Sequence, residues 1–165
     1  MKQPTVLLDA LEVIFKDDID ALDLTMIKLK LQDKEEGQGW SKKQCDEAEK
    51  EYKCFLALKR KYPEKDIVPN GDIDKFWHQH ILDTAKYATD CQELFGYFLH
   101  HYPYFGMNGK QDAQNLSDAF EETKTLYKKH FDVDYIGQQN DARRQNVERN
   151  VNPLNVNSSE SLFVE

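Results

Sequence analysis

Four of the five histidines in this chain, His78, His80, His100 and His101, sit inside one block from Asp72 to Met107. The same block holds Asp74, Asp83, Asp90, Cys91 and the aromatic run Tyr102-Pro103-Tyr104-Phe105. A neutral imidazole offers a ring-nitrogen lone pair and a carboxylate offers an oxygen, and both are ordinary ligands of zinc, iron or copper. The candidate metal ligands are therefore His80, Asp83, His100, His101 and His78.

Geometry restricts how these could combine. Positions i and i+2 diverge on a helix, so His78 and His80 cannot chelate one ion there. His80 with Asp83 or Thr84 is the feasible local pair. His80 and Cys91 would stand ~16 Å apart along an intact helix. A site is better built from His80 and Asp83 with His100 or His101 arriving from the aromatic loop. Alternatively, His78 on the outward face meets ligands from another segment.

Structural roles compete with these. A buried His80 could bond a backbone carbonyl or a tyrosine hydroxyl. Asp74 and His78, four apart, could pair on the surface, and His100-His101 would suit a helix C-terminus. Metal-free acid–base chemistry is a third reading. No paired CxxC, HExxH, glycine-rich phosphate loop or GxSxG elbow is present. Cys91 shares a stripe with aromatic residues and reads as a buried, inert thiol.

The block needs elements to hold it. Phe76, His80, Thr84, Tyr87, Cys91, Leu94 and Phe98 share one face at 100° per residue. This predicts a long central helix from Ile73 to the Phe98 region, bent near Gly96. Pro69-Asn70-Gly71 is a turn before it, with Asp72 or Asp74 as the cap. Upstream, Ser41 and Gln44 form a capping box for a helix ending near Tyr62. That helix carries Cys45, Ala48, Tyr52, Phe55 and Tyr62 on one side, and Pro63 stops it. Downstream, Leu116, Phe120, Thr123 and Tyr127 mark a helix from Ala113 to His130.

At the start of the chain, Pro4 suits a first helical turn, and Leu7, Leu11, Ile14 and Phe15 follow at helical spacing. Asp17-Asp18 reads as a break. Ile19, Leu22, Met26 and Leu29 then give another helical stripe, preferred over the strand-like alternation of Ile27, Leu29 and Leu31 because no partner strand is evident. Gly37-Gln38-Gly39 is a loop. The expected fold is all-α, a compact multi-helix domain over residues 1–135 around the long central helix. Residues 136–165, rich in Asn, Gln and Arg, read as a polar tail or extended arm whose last apolar cluster is Leu162-Phe163-Val164.

Composition sets the outer limits. The chain has 165 residues, 39% hydrophobic and 32% charged, with nine Phe, eight Tyr and two Trp for a core. A net charge of −8 argues against nucleic acid. Lys59-Arg60-Lys61 reads as a solvated helix end. No apolar run approaches the ~18 residues of a membrane span, and no secretory signal opens the chain. Three cysteines without a CxxC pair suit a reduced cytoplasm.

The run Asp74-Lys75-Phe76-Trp77-His78-Gln79-His80-Ile81-Leu82-Asp83-Thr84, followed by Tyr87, Asp90-Cys91, Phe95-Gly96 and His100, resembles the glycine-rich domain-containing protein-like family. Tyr52, Phe55-Leu56 and Tyr62-Pro63 add to the likeness, which is to its short bacterial-type, stand-alone members. With seven glycines and no glycine-rich stretch, the chain is similar to the core unit only. The resemblance implies the extent of the domain and the importance of the block, and it implies no reaction. Two functions follow as expectations. One is a small intracellular helical protein with a His-rich site that binds a transition metal. The other is a metal-free interaction module, with its acidic surface and the Tyr102–Phe105 loop meeting a protein partner.

Overall fold

The computed structural model describes Ile14 and residues 16–135. Among these there are six helices and no strand: α1 (Asp17–Asp20), α2 (Thr25–Gln32), α3 (Lys42–Lys61), α4 (Gly71–Leu82), α5 (Thr84–Phe95) and α6 (Gly109–Phe131). The all-α architecture follows the sequence. The first-turn proline, Leu7, Leu11, Phe15 and the 136–165 tail lie outside the described residues.

Helix α3 forms where its caps and stripe require. The Ser41 side chain accepts from the Gln44 amide while the Gln44 side chain accepts from Ser41. Cys45, Ala48, Tyr52, Phe55, Leu56 and Leu58 are buried along it. Both α2 and α4 pack against this face.

The first two helices depart from the expected single stripe. Asp17 and Asp18 open α1 as first-turn acids instead of breaking it, and the chain restarts at Thr25. The restart resets the helical phase: Ile19, Leu24, Ile27 and Leu31 are buried, while Met26 and Leu29 face outward. Lys53 of α3 stabilises the break, because its ammonium donates to the carbonyls of Asp20 (3.0 Å) and Leu22 (3.1 Å). Glu49 balances its charge at 2.8 Å.

The predicted long helix is two helices. Asp83 leaves helical geometry at φ −80°, ψ 71°, and Gly96, in the left-handed region at φ 75°, ends α5. The cap at the start of α4 is Asn70, whose side chain accepts from the Ile73 amide at 2.8 Å, and not Asp72 or Asp74. Two bonds hold the break closed. Trp77 Nε1 donates to Tyr87 Oη at 2.8 Å, and His80 Nε2 lies 2.9 Å from Asp90 Oδ2. Each pair is ten residues apart, a rise of ~15 Å on a straight helix. Thr84 and Phe98, placed on the inner stripe by the straight helix, are exposed as a result.

Helix α6 covers the remaining side with Leu116, Phe120, Thr123 and Tyr127 buried, as its periodicity requires. Thr123 Oγ1 accepts from the Val68 amide at 3.0 Å. Tyr135 closes the same region: its hydroxyl accepts from the Asn70 amide (2.6 Å) and donates to the Val68 carbonyl (3.0 Å). These bonds fix the segment that leads into α4.

Candidate metal centre

Asp74 and His78 lie four residues apart on α4 and so share a face. The Asp74 carboxylate is buried in the first turn, where the helix dipole favours negative charge. His101 comes from the segment after α5. Its Nε2 is 3.0 Å from Asp74 Oδ1 and 3.0 Å from His78 Nε2, and His78 Nε2 is 3.6 Å from Asp74 Oδ1. Asp74, His78 and His101 thus present three donor atoms in one small triangle.

The aromatic core positions His101. Tyr87, tied to Trp77, donates its own hydroxyl proton to the Leu99 carbonyl at 2.6 Å. That anchor lies two residues before His101. The Trp77 ring then lies against the His101 imidazole, with centroids 4.6 Å apart. The His101 side chain is mostly enclosed, whereas half of His78 is exposed. The triangle therefore has a rigid inner side and an outer side open to solvent.

The other sequence candidates go elsewhere. His80 is buried with both nitrogens used: Nδ1 lies 2.9 Å from Tyr52 Oη, and Nε2 faces Asp90. A neutral ring meets both demands, accepting from Tyr52 and donating to Asp90. Burial lowers the His80 pKa, with the Asp90 charge opposing that shift. Lys86 shares Asp90 at 2.9 Å. The proposed His80–Asp83 pair does not form, because Asp83 is exposed at the helix junction. His100 is exposed and rests on Phe98, with ring centroids 4.9 Å apart. Of the five sequence candidates, the fold brings together His78 and His101 and adds Asp74. The sequence had assigned Asp74 to a cap or a surface pair; its i, i+4 spacing from His78 on a helix was the available ligand signal.

Beside the triangle lies a cleft of about 260 Å³ lined in part by Trp77, His100, His101, Tyr102 and Phe105. Phe105 is half-buried against the core, but Tyr102 and Tyr104 are 68% and 59% exposed. The three thiols suit no nucleophilic role, since burial raises Cys45 and Cys91 and pushes Cys54 up to about 11. No helix among the described residues is long and apolar enough to cross a membrane.

Known proteins place the chain without naming a reaction. No curated protein and no solved structure matches it. The profile of the UCP032817-like family matches residues 21–128, well over half of the 165. The match overturns the glycine-rich domain-containing protein-like assignment, which rested on the Asp74–Thr84 run with the residues after it to His100 and on Tyr52, Phe55-Leu56 and Tyr62-Pro63. By this match over most of its length, the chain belongs to the UCP032817-like family.

Proposed function

We propose that Asp74, His78 and His101 bind one divalent transition-metal ion, zinc or iron by the donor set, through one carboxylate oxygen and two Nε2 atoms. The carrying observation is the position of His101 Nε2, 3.0 Å from both the Asp74 oxygen and the His78 nitrogen. A ring nitrogen bears either one proton or one lone pair in its plane, so it makes a single well-aligned hydrogen bond, to Asp74 or to His78 but not to both. One cation at the centre satisfies all three donors. At a metal–ligand distance of ~2.1 Å, donors of a common ion stand ~3.0 Å apart at right angles and ~3.4 Å apart at the tetrahedral angle. The observed edges of 3.0, 3.0 and 3.6 Å bracket those values.

Three protein ligands with an open side is the pattern of a reactive site rather than a closed structural one. Such an ion would polarise a bound water or carbonyl. Elemental analysis of protein purified without a polyhistidine tag tests the reading, which expects near-stoichiometric zinc or iron. Loss of that metal in His101→Ala but not in His130→Ala would support the ligand set, because His130 is occupied by Tyr62 Oη at 2.7 Å.

The exposure of Tyr102 and Tyr104 favours a second reading, a protein-contact surface at the loop. It becomes the leading one if untagged protein holds no metal at neutral pH.

A further inference from the structure

The cleft beside the triangle has a charge feature that the metal reading does not use. Lys59 of α3 lines it, half-buried. Among the described residues Lys59 makes no hydrogen bond or ion pair. Lysines at comparable depth elsewhere find partners: half-buried Lys28 meets Glu49 at 2.6 Å, half-buried Lys86 meets Asp90 at 2.9 Å and buried Lys53 meets Glu49 at 2.8 Å. A cation partly removed from water without a partner is costly. Burial lowers the Lys59 pKa, and Asp66 offsets that only in part from beyond ion-pair range.

We infer that this cleft binds a small organic monoanion with a flat apolar body, an aromatic carboxylate by class, whose carboxylate meets the Lys59 ammonium. The walls suit such a body: Trp77, Tyr102 and Phe105 offer ring surfaces, and Pro69 offers an apolar one. The volume of about 260 Å³ is below the usual range for drug-sized ligands, which favours a single-ring molecule. Asp66 at the cleft repels a second negative charge, which selects a monoanion over a dianion such as hydrogen phosphate. The site stands apart from the ion, since Lys59 is not one of the three donors. His101 is common to the cleft wall and the triangle.

Phenylacetate is the probe, titrated into the full chain by calorimetry and followed through the Trp77 indole N–H by NMR. One arm uses protein stripped with a chelator and the other uses zinc-loaded protein. Saturable binding in the stripped arm, with Kd of about 1 mM or tighter, is the expected result. Phenylacetamide, the uncharged isostere, should bind the wild-type protein at least ~10-fold more weakly. Lys59→Met keeps the stem and should lose phenylacetate by a similar factor with an unchanged melting temperature. Equal binding of the amide, equal binding by Lys59→Met, or no saturable shift up to ~20 mM phenylacetate overturns the proposal. Binding that requires zinc also overturns it, because the ion and not Lys59 would then hold the carboxylate. Failure of the metal reading alone leaves the stripped arm unaffected.

Discussion

His101 Nε2 stands 3.0 Å from Asp74 Oδ1 although 27 positions separate the two residues. The helical path between them is interrupted twice, at Asp83 and at Gly96, and the Trp77–Tyr87, His80–Asp90 and Tyr87–Leu99 bonds tie the segments on either side together. The geometry of the Asp74–His78–His101 triangle is therefore a consequence of core packing, which gives several measurable outcomes.

Tyr87 links Trp77 to the Leu99 carbonyl through one buried hydroxyl. Tyr87→Phe leaves both partners unsatisfied and should cost ~1–3 kcal/mol in urea unfolding. It should also weaken zinc binding by ~10-fold, because the segment carrying His101 loses its anchor. A stability loss with unchanged zinc affinity would show that Leu99 does not position His101.

Trp77 is 5% exposed and packs on Phe55 and His101, with ring centroids 5.0 and 4.6 Å away. Trp77→Ala should cost ~3–5 kcal/mol through the cavity it leaves. A near-neutral thermal shift would contradict the burial.

His80 supplies a pH dependence. Its folded pKa lies below the ordinary 6.5 because burial disfavours the imidazolium. The unfolded chain thus takes up that proton first, and stability rises with pH wherever it binds more protons. The His80 contribution is complete above 6.5 and is lost as pH falls through that value toward the lower folded one. Urea midpoints should fall from pH ~7.5 to ~5.5, and His80→Gln should flatten the slope. A wild-type midpoint that rises on acidification would contradict a neutral buried ring.

Ending the chain after Tyr135 should preserve the cooperative fold, because the sequence beyond it is polar and aperiodic. Ending it after Phe131 should not, since the Tyr135 hydroxyl that serves Val68 and Asn70 is removed. Thermal melts of the two truncations separate these outcomes: a large loss for the longer one would mean that residues 136–165 contribute to packing.

Local signals carried much of the fold. The Ser41–Gln44 capping box, the stop at Pro63 and the apolar stripe of α6 are encoded within a few residues of where they act, and each appears where the sequence puts it. The break at Asp83 has no such signal. No proline or glycine stands there, and the compensation comes from Tyr87 and Asp90 ten residues beyond their partners. Continuing the 100° periodicity through Asp83 therefore turned Thr84 and Phe98 inward and lengthened one helix at the expense of two. The same extrapolation across Ala21–Leu24 misassigned Met26 and Leu29. The histidine-rich block contains the Asp74, His78 and His101 triangle. The choice among its residues depended on the break, which gives His80 to Asp90 and frees His101 to reach Asp74. The spacing of Asp74 and His78 was legible, and the sequence left open that His78 meets ligands from another segment; that His101, rather than His100, closes the triangle was not legible, because it is set by tertiary bonds.

The most direct test is zinc titration by calorimetry, between pH ~5.5 and ~7.5, of chelator-stripped, untagged protein and its Asp74→Asn, His101→Ala, His80→Gln and His130→Ala variants. The account predicts one site per chain in the wild-type protein, with affinity falling as protons compete for the imidazoles at the lower pH. Asp74→Asn and His101→Ala should weaken it by more than ~100-fold, while folded His130→Ala and His80→Gln retain the site. A wild-type protein that takes up no zinc or iron at neutral pH, or a site that survives loss of His101 and vanishes with His80, would contradict it.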